Sequence, residues 1–430
     1  MNLKRPVWAL HVLIVGLALH NVVMALLWRA GVRGAALTVV AAWKDVLLLV
    51  ALALVVRARG GLPFKGTLTD WLALAFGAFV VLYGVLPQSW LGGGATHKGV
   101  LYAARHDLLP VGAYFLGRGL ELTEQERARL CHTVLAVAAF VAAFGLIDVY
   151  AVPLSWWRPV GGWFHDQLGL RYFGLSDLPE NFIYNAGNGV VFRRLTSTFL
   201  SPLATSYLLV VALFFVPLRR RWGPPLALLL FVALLFTHTR SALLALAGGL
   251  LLLALVRRSW RPLLYAVVVA AISLAFVKTY DHIGPRTHFT RAELTQQEKN
   301  AKKHGGVSND PTAANEASTS EHWQALREGV HTVVHHPWGF GLGNSGVTAA
   351  RTHVTVEAGE STYTELGVEL GVLGALVFVA WSLSLLRVTL VRRPWLGAAF
   401  AAVLFLGLQT DVIGVPWIAV TVWALAADSA

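Results

Sequence analysis

His353, Glu357, Glu360, Ser361 and Tyr363 crowd the entrance to an apolar run, in the stretch EHWQALREGVHTVVHHPWGFGLGNSGVTAARTHVTVEAGESTYTELGVELGVLG that spans 321–374. A carboxylate or imidazole held partly out of water there can titrate near neutrality and act as a general base. Glu360, Glu357 and His353 are the candidates, with Tyr363 as a polar group of the same cavity. A second set of residues has a different chemistry. Arg193 and Arg194 stand in VVFRRLTSTFLSPLATSYLL, Arg240 in FTHTRSALLAL, and Arg286 in DHIGPRTHFTRAEL with Arg291 behind it. A guanidinium stays charged and presents a planar donor fork that matches phosphate oxygens. Arg240 also precedes a helix start, where free amides and the positive dipole end favour an anion. Taken singly, each arginine reads as a headgroup anchor. Together, flanking the ends of different apolar runs, they read as a phosphate-binding pocket.

Other patterns narrow the chemistry. His322, His331, His335 and His336 are irregularly spaced and no cysteine joins them, which argues against a metal site. Glu365 and Glu369 fall at i, i+4 within the apolar run. The first reads as a helix-start acid that satisfies the dipole, and the second as the partner of an intramembrane cation. No phosphate loop, HExxH or GxSxG occurs, and no DxD pair is present to carry a metal and a nucleotide sugar. No cofactor is expected. A phosphate-recognising site without these devices suits a substrate that arrives already attached to a lipid.

The elements that must position these residues are membrane helices. Mean hydropathy is +0.61, and 56% of residues are hydrophobic against 13% charged. Several apolar runs reach roughly 20 residues, enough to cross a hydrocarbon core. The chain is therefore expected to be an all-α polytopic membrane protein, a single membrane domain over 1–430. Twelve spans are expected, at about 7–28, 35–56, 68–86, 99–117, 130–150, 199–217, 223–238, 241–256, 262–279, 363–386, 394–412 and 414–427. The net charge of +12 resides in short Lys/Arg clusters between runs, which is the positive-inside pattern and not a nucleic-acid signal. That bias puts both termini in the cytoplasm, and makes the loops 151–198 and 280–362 extracytoplasmic. The first run is too long for a signal core and is read as a retained helix. Cys131 stands alone and says nothing of redox compartment. Residues 295–320, polar and without aromatics, are expected to form a mobile flap. The aromatic-rich 153–184 is expected to lie at the membrane interface.

Charges within the spans ask for reasons. Lys44-Asp45 and Arg105-His106-Asp107 fall seven to nine residues into their spans, on the order of 10–14 Å below the outer surface. Asp148, His238, Lys278 and Asp411 fall near outer span ends. One reading makes Lys44/Asp45 and Arg105/Asp107 structural ion pairs. The other makes Lys44 and Arg105 lining groups of a water-filled, outward-open cavity.

These segments resemble the O-antigen polymerase and ligase superfamily of bacterial envelope glycan assembly. The resemblance is carried by RRLTSTFLSPLATSYLL, by THTRSALLAL and by W…HPWGFGLGNSG…GESTYTELGVELGVLG, over about 190–375; the N-terminal third is similar only in hydropathy and in Lys44-Asp45. It implies a twelve-helix bundle of the GT-C type in the bacterial inner membrane, with a large outer loop carrying part of the site. The implied reaction moves oligosaccharide from undecaprenyl diphosphate to an acceptor sugar hydroxyl, without metal. Arg193 or Arg194, Arg240 and Arg286 match the diphosphate-holding positions, and Glu360 matches the base. Trp156, Trp157, Trp163 and Trp338 are candidates to stack on sugars. Ligases that load lipid A core usually carry a His-Asn pair where this chain has Glu360-Ser361-Thr362-Tyr363, which favours a polymerase of repeat units. Implied partners are the lipid-linked oligosaccharide, an acceptor glycan, the bilayer and a chain-length regulator. A ligase is the nearest alternative. A transporter of a lipid-linked or anionic solute is the alternative of another class, although no internal repeat supports it.

Overall fold

Apolar runs in a bilayer have to satisfy their backbone amides internally, and here they do so as helices. The structure, a computed structural model, describes residues 5–168, 178, 182–185, 191–287, 291, 295, 317–357 and 360–430. Its helices are α1 (Val7–Arg29), α2 (Gly34–Ala41), α3 (Trp43–Arg59), α4 (Leu68–Val85), α5 (Gln88–Leu91), α6 (His97–Leu120), α7 (Glu124–Ala151) and α8 (Gly161–Leu168). They continue as α9 (Pro202–Phe215), α10 (Gly223–Phe236), α11 (Arg240–Arg257), α12 (Trp260–Ile283), α13 (Ala317–His335), α14 (Gly346–Arg351), α15 (Thr362–Arg392), α16 (Pro394–Leu406) and α17 (Pro416–Ala427). Among the described residues seven spans are long and apolar enough to cross a membrane, with α2 and α3 counted as one. Four more apolar helices, α9, α10, α16 and α17, are shorter. The chain is an all-α, multi-pass membrane protein with one small sheet.

Local chemistry sets several helix boundaries. Thr67 with Asp70 opens α4, and Thr123 with Glu126 opens α7, each as a reciprocal capping box. Ser201 caps α9 and Ser361 caps α15, both through the side-chain hydroxyl. Asp70 does a second job. Its buried carboxylate accepts from Arg118 Nε at 2.9 Å and Nη2 at 3.1 Å, and from the Tyr114 hydroxyl at 2.7 Å, which ties α4 to α6. The ion pair is fully hydrogen-bonded, as a pair removed from water must be to persist.

Within the segment 153–184 four aromatic residues turn inward. Trp157, Trp163, Phe164 and Phe182 are buried in a separate apolar core with Met24 of α1 and Leu37 of α2. They are the interior of a cap over one end of the bundle. A three-stranded antiparallel sheet stands beside it, in the order β1 (Ile183–Asn185), β2 (Val191–Arg193), β3 (Arg286–Thr287). This sheet joins the start of α9 to the end of α12. The flap expected over 295–320 lies outside the described residues, apart from Thr295 and the start of α13, as do Tyr172 and Phe173.

The loop 280–362 is built, in its described part, around a broken helix. Gly371 interrupts α15 with φ +72°, a conformation open to glycine and strained for other residues. The freed backbone groups are taken up by the Pro/Gly turn: Phe340 N donates to Val368 O at 2.6 Å, and Val372 N to Pro337 O at 2.9 Å. A Cβ at Gly339 would come within 2.5 Å of Gly371 N, so the turn and the break fit only as glycine on glycine. Asn344 locks the far side, accepting from Gly94 N at 2.8 Å and donating to the carbonyls of Phe340 and Gly341.

Candidate functional site

Arg193 and Arg194 are neighbours in sequence but point to opposite sides, as consecutive residues leaving a strand do. Arg193 turns inward. Its Nη2 stands 2.8 Å from Asp148 Oδ2 and its Nη1 2.9 Å from the Asp148 carbonyl, both side chains being almost fully buried. Its guanidinium is thereby committed to holding β2 against α7. Arg194 lies instead across the α10–α11 join, with Nε on Thr237 O at 2.9 Å and Nη2 near Thr239 Oγ1 at 3.2 Å. Arg240 opens α11 just beyond, half-buried. Burial pushes Arg194 down to about 10, with the Arg240 charge adding to it. Two guanidiniums near enough to feel each other's charge, one of them buried, suit an anion. His238 completes this shelf, stacked 4.3 Å from Tyr280 and held well below the usual imidazole range by burial, then by Arg194 and Arg240.

The β2–β3 pairing explains how a distant arginine joins them. Phe192 pairs with Arg286, which puts exposed Arg286 two residues from Arg194 in register. Arg291 is exposed. On the opposite side, Tyr207 of α9 feels the charges of Arg194 and of Glu360, and its hydroxyl hydrogen-bonds Thr410. Arg194 and Glu360, together with Asp411, thus all act on one phenol.

Glu360 stands before α15 with φ +74° and half its side chain exposed, and pairs with His322 of α13. Its amide donates to Glu365 Oε1 at 3.1 Å. His353 also has positive φ, but its ring neighbour is His165 of α8, 5.9 Å away between centroids. These two candidate bases therefore have different surroundings. Tyr363 donates its hydroxyl to Leu404 O at 2.7 Å and so ties α15 to α16. Of the candidate sugar-stacking residues, Trp157 and Trp163 are buried, whereas Trp338 is 70% exposed.

Behind Glu360 is a buried polar cluster whose partners were not evident from sequence. His106 of α6 contacts Asp107 Oδ1 through Nδ1 at 2.7 Å and Asp411 Oδ2 through Nε2 at 2.8 Å. Glu365 lies in the field of Asp411, His106, Glu369 and Asp107. Glu369, expected to pair with a cation, accepts instead from Gly343 N and Ser345 Oγ, both at 3.0 Å. The Pro/Gly turn supplies these donors, so the break in α15 and its acid are parts of one arrangement. Convergence of charges at one depth was the only sequence signal for this cluster. Nothing local linked Asp411 to His106, 305 residues away.

Lys44 and Arg105 form neither of the pairs expected of them. Arg105 Nε bonds Asp45 at 2.9 Å, bridging α6 to α3. Buried Lys44 reaches back over the α2–α3 break to Ala41 O at 2.8 Å and to His20 Nε2 at 3.3 Å. Among the described residues no group of three or more His, Cys, Asp or Glu is arranged to hold a metal ion.

Comparison with known proteins adds one match. No curated protein matches the chain. Residues 225–379 match the family model described as O-antigen ligase, a segment that holds Arg240, Arg286, Glu360 and the part of α15 around the Gly371 break. The match covers less than half of the chain, and over that segment it supports the resemblance to the O-antigen polymerase and ligase superfamily.

Proposed function

We propose that the protein transfers oligosaccharide from a lipid diphosphate to an acceptor sugar hydroxyl, at a site on the extracytoplasmic face of the bacterial inner membrane. Twelve membrane passages, made by the seven long spans, the four short apolar helices and α6, fit this reading, with both termini in the cytoplasm. What supports it most is Arg194 lying on the α10–α11 join that Arg240 follows, with Arg194 and Glu360 both near enough to Tyr207 for their charges to act on it. The donor diphosphate lies on Arg194 and Arg240, with Arg286 at its edge. Glu360, oriented by His322, accepts the proton of the attacking hydroxyl. The oxygen attacks the anomeric carbon, the bond to the diphosphate breaks, and the guanidiniums take up the charge that grows on the leaving group. Preorganised donors of this kind are worth about 3–4 kcal/mol each.

Glu360-Ser361 at the α15 junction, where ligases that load lipid A core usually have His-Asn, supports polymerisation of repeat units. The matched family's description favours a ligase as the second reading. Deletion of the gene separates the two: shortened glycan supports the polymerase, and full-length glycan that fails to reach its acceptor supports the ligase. Glycan unchanged in both length and attachment refutes either.

A further inference from the structure

We propose that Lys44, Arg105 and Arg351 form a second anion site, built for a phosphate or diphosphate ester, on the α3 side of α6. The three side chains come from α3, α6 and α14, and each lies in the field of the others. Lys44 feels Arg105 and Arg351, and Arg351 feels Arg105. His20 of α1 feels all three. One carboxylate, Asp45, acts on the group, and it is spent on Arg105 at 2.9 Å. Lys44 Nζ has only the neutral contacts to Ala41 O and His20.

Arg351 is the telling member. Among the described residues its buried Nε has no hydrogen-bond partner, and no acid figures among the charges acting on it. Burial and then the Arg105 charge push the guanidinium down to about 10. Three cations stand against one carboxylate, and although Arg105 is 40% exposed, buried Lys44 and the Arg351 Nε are screened only weakly from it. Lipid-facing lysines relieve such a cost by reaching for water. Lys44 does not, being 5% exposed. An anion between the three removes the repulsion and supplies Arg351 Nε with an acceptor.

A path leads to the site from the start of α6. Lys98 lies 5.5 Å over Tyr102, and residues 98, 102 and 105 share one helix face at i, i+4 and i+7. Guanidinium forks and an ammonium select phosphate oxygens over a single carboxylate. The existence of this site does not depend on the function proposed above; only the identity of the phosphate does. With the donor diphosphate on Arg194 and Arg240, the second site takes the phosphate of the acceptor lipid. The other source of the same chemistry is a phospholipid headgroup.

The test uses the full chain in detergent, with inorganic pyrophosphate and farnesyl diphosphate as probes, read by calorimetry and by tryptophan-detected melting. Arg351→Gln and Lys44→Met are each expected to weaken pyrophosphate binding at this site by about tenfold or more, and Arg351→Lys to retain most of it. Without the anion, Arg351→Gln is expected to melt a few degrees higher than wild type, because a like charge is gone; a structural arginine gives the opposite shift. Pyrophosphate affinity unchanged in both Arg351→Gln and Lys44→Met overturns the proposal. Binding lost in Arg240→Ala but kept in Arg351→Gln also overturns it and leaves the proposed donor site standing. The converse pattern upholds it and removes the donor site. Nanodiscs separate the sources: phosphatidylglycerol retained by wild type and lost from Arg351→Gln assigns a headgroup, and its displacement by farnesyl diphosphate assigns a substrate.

Discussion

Tyr207 of α9 and Thr410 of the α16–α17 connection join hydroxyl to hydroxyl, and the same phenol lies in the fields of Arg194 and Glu360. Asp411 acts on it as well. A guanidinium and a carboxylate within electrostatic reach of one group suit a site that holds a leaving group while a hydroxyl is deprotonated.

Arg240→Ala is expected to lower glycan transfer by roughly 10²–10³-fold, the cost of one preorganised donor. Arg194→Lys, which keeps the charge but loses the fork on Thr237 and Thr239, should lose less. Turnover of lipid-linked oligosaccharide by the purified variants checks both. Equal activity of Arg240→Ala and wild type would remove the anion role.

Glu360→Gln should lower turnover by about 10²–10⁴-fold with lipid binding intact, as expected for loss of a general base. His322→Ala, acting only through Glu360, should cost less. Substrate binding and single-turnover rates, measured separately, distinguish a base from a binding residue. If His353→Ala proves the more damaging change, the proton acceptor is His353.

Gly371→Ala is expected to destabilise the fold by about 1–3 kcal/mol, because φ +72° is strained for alanine. The added methyl would also stand 2.6 Å from Pro337 O. The turn and Glu369 should loosen together, so activity should fall with the melting temperature. A wild-type melting curve would contradict the fit of the turn against the broken helix.

Asp148→Ala leaves the Arg193 guanidinium buried without its carboxylate, and removal of one partner of such a pair typically costs about 3–5 kcal/mol. Replacing both with apolar residues of similar volume should recover much of that loss. Melting of the two variants tests it. No recovery in the double variant would show that Arg193 has a role beyond the pair.

His238 makes stability depend on pH. Its folded form is held neutral, below the unfolded value of 6.5, by burial and by Arg194 and Arg240. The unfolded chain therefore binds the proton more readily, and stability, complete above about pH 6.5, falls as pH drops below it. Melting between pH 7.5 and 5 should show the decline, and His238→Asn, which tolerates the positive φ of 48°, should flatten it. An unchanged slope in that variant would exclude His238 as the source.

Much of this architecture could be read from apolar length and punctuation: α1 at Val7–Arg29, α4 at Leu68–Val85 and α11 at Arg240–Arg257 lie close to the spans expected from hydropathy. What could not be read depended on partners distant in sequence. Composition does not tell an aromatic segment that faces lipid from one that packs on itself, and Trp157, Trp163 and Phe164 do the latter. ELGVLG reads as uninterrupted helix until the turn at 337–340 supplies the hydrogen bonds that let Gly371 break it. Arg193 and Arg194 were interchangeable as letters; the strand before them decides which one faces Asp148. Arg351 carried no signal at all, because its environment is made by α6.

The central claim is tested most directly by giving the purified protein in proteoliposomes a lipid-linked oligosaccharide and following the glycan–diphosphate bond. The account predicts release of the carrier diphosphate, one per glycan transferred, abolished in Glu360→Gln and strongly reduced in Arg240→Ala. Movement of the intact lipid-linked glycan across the bilayer, with that bond unbroken, would contradict it and make the protein a transporter.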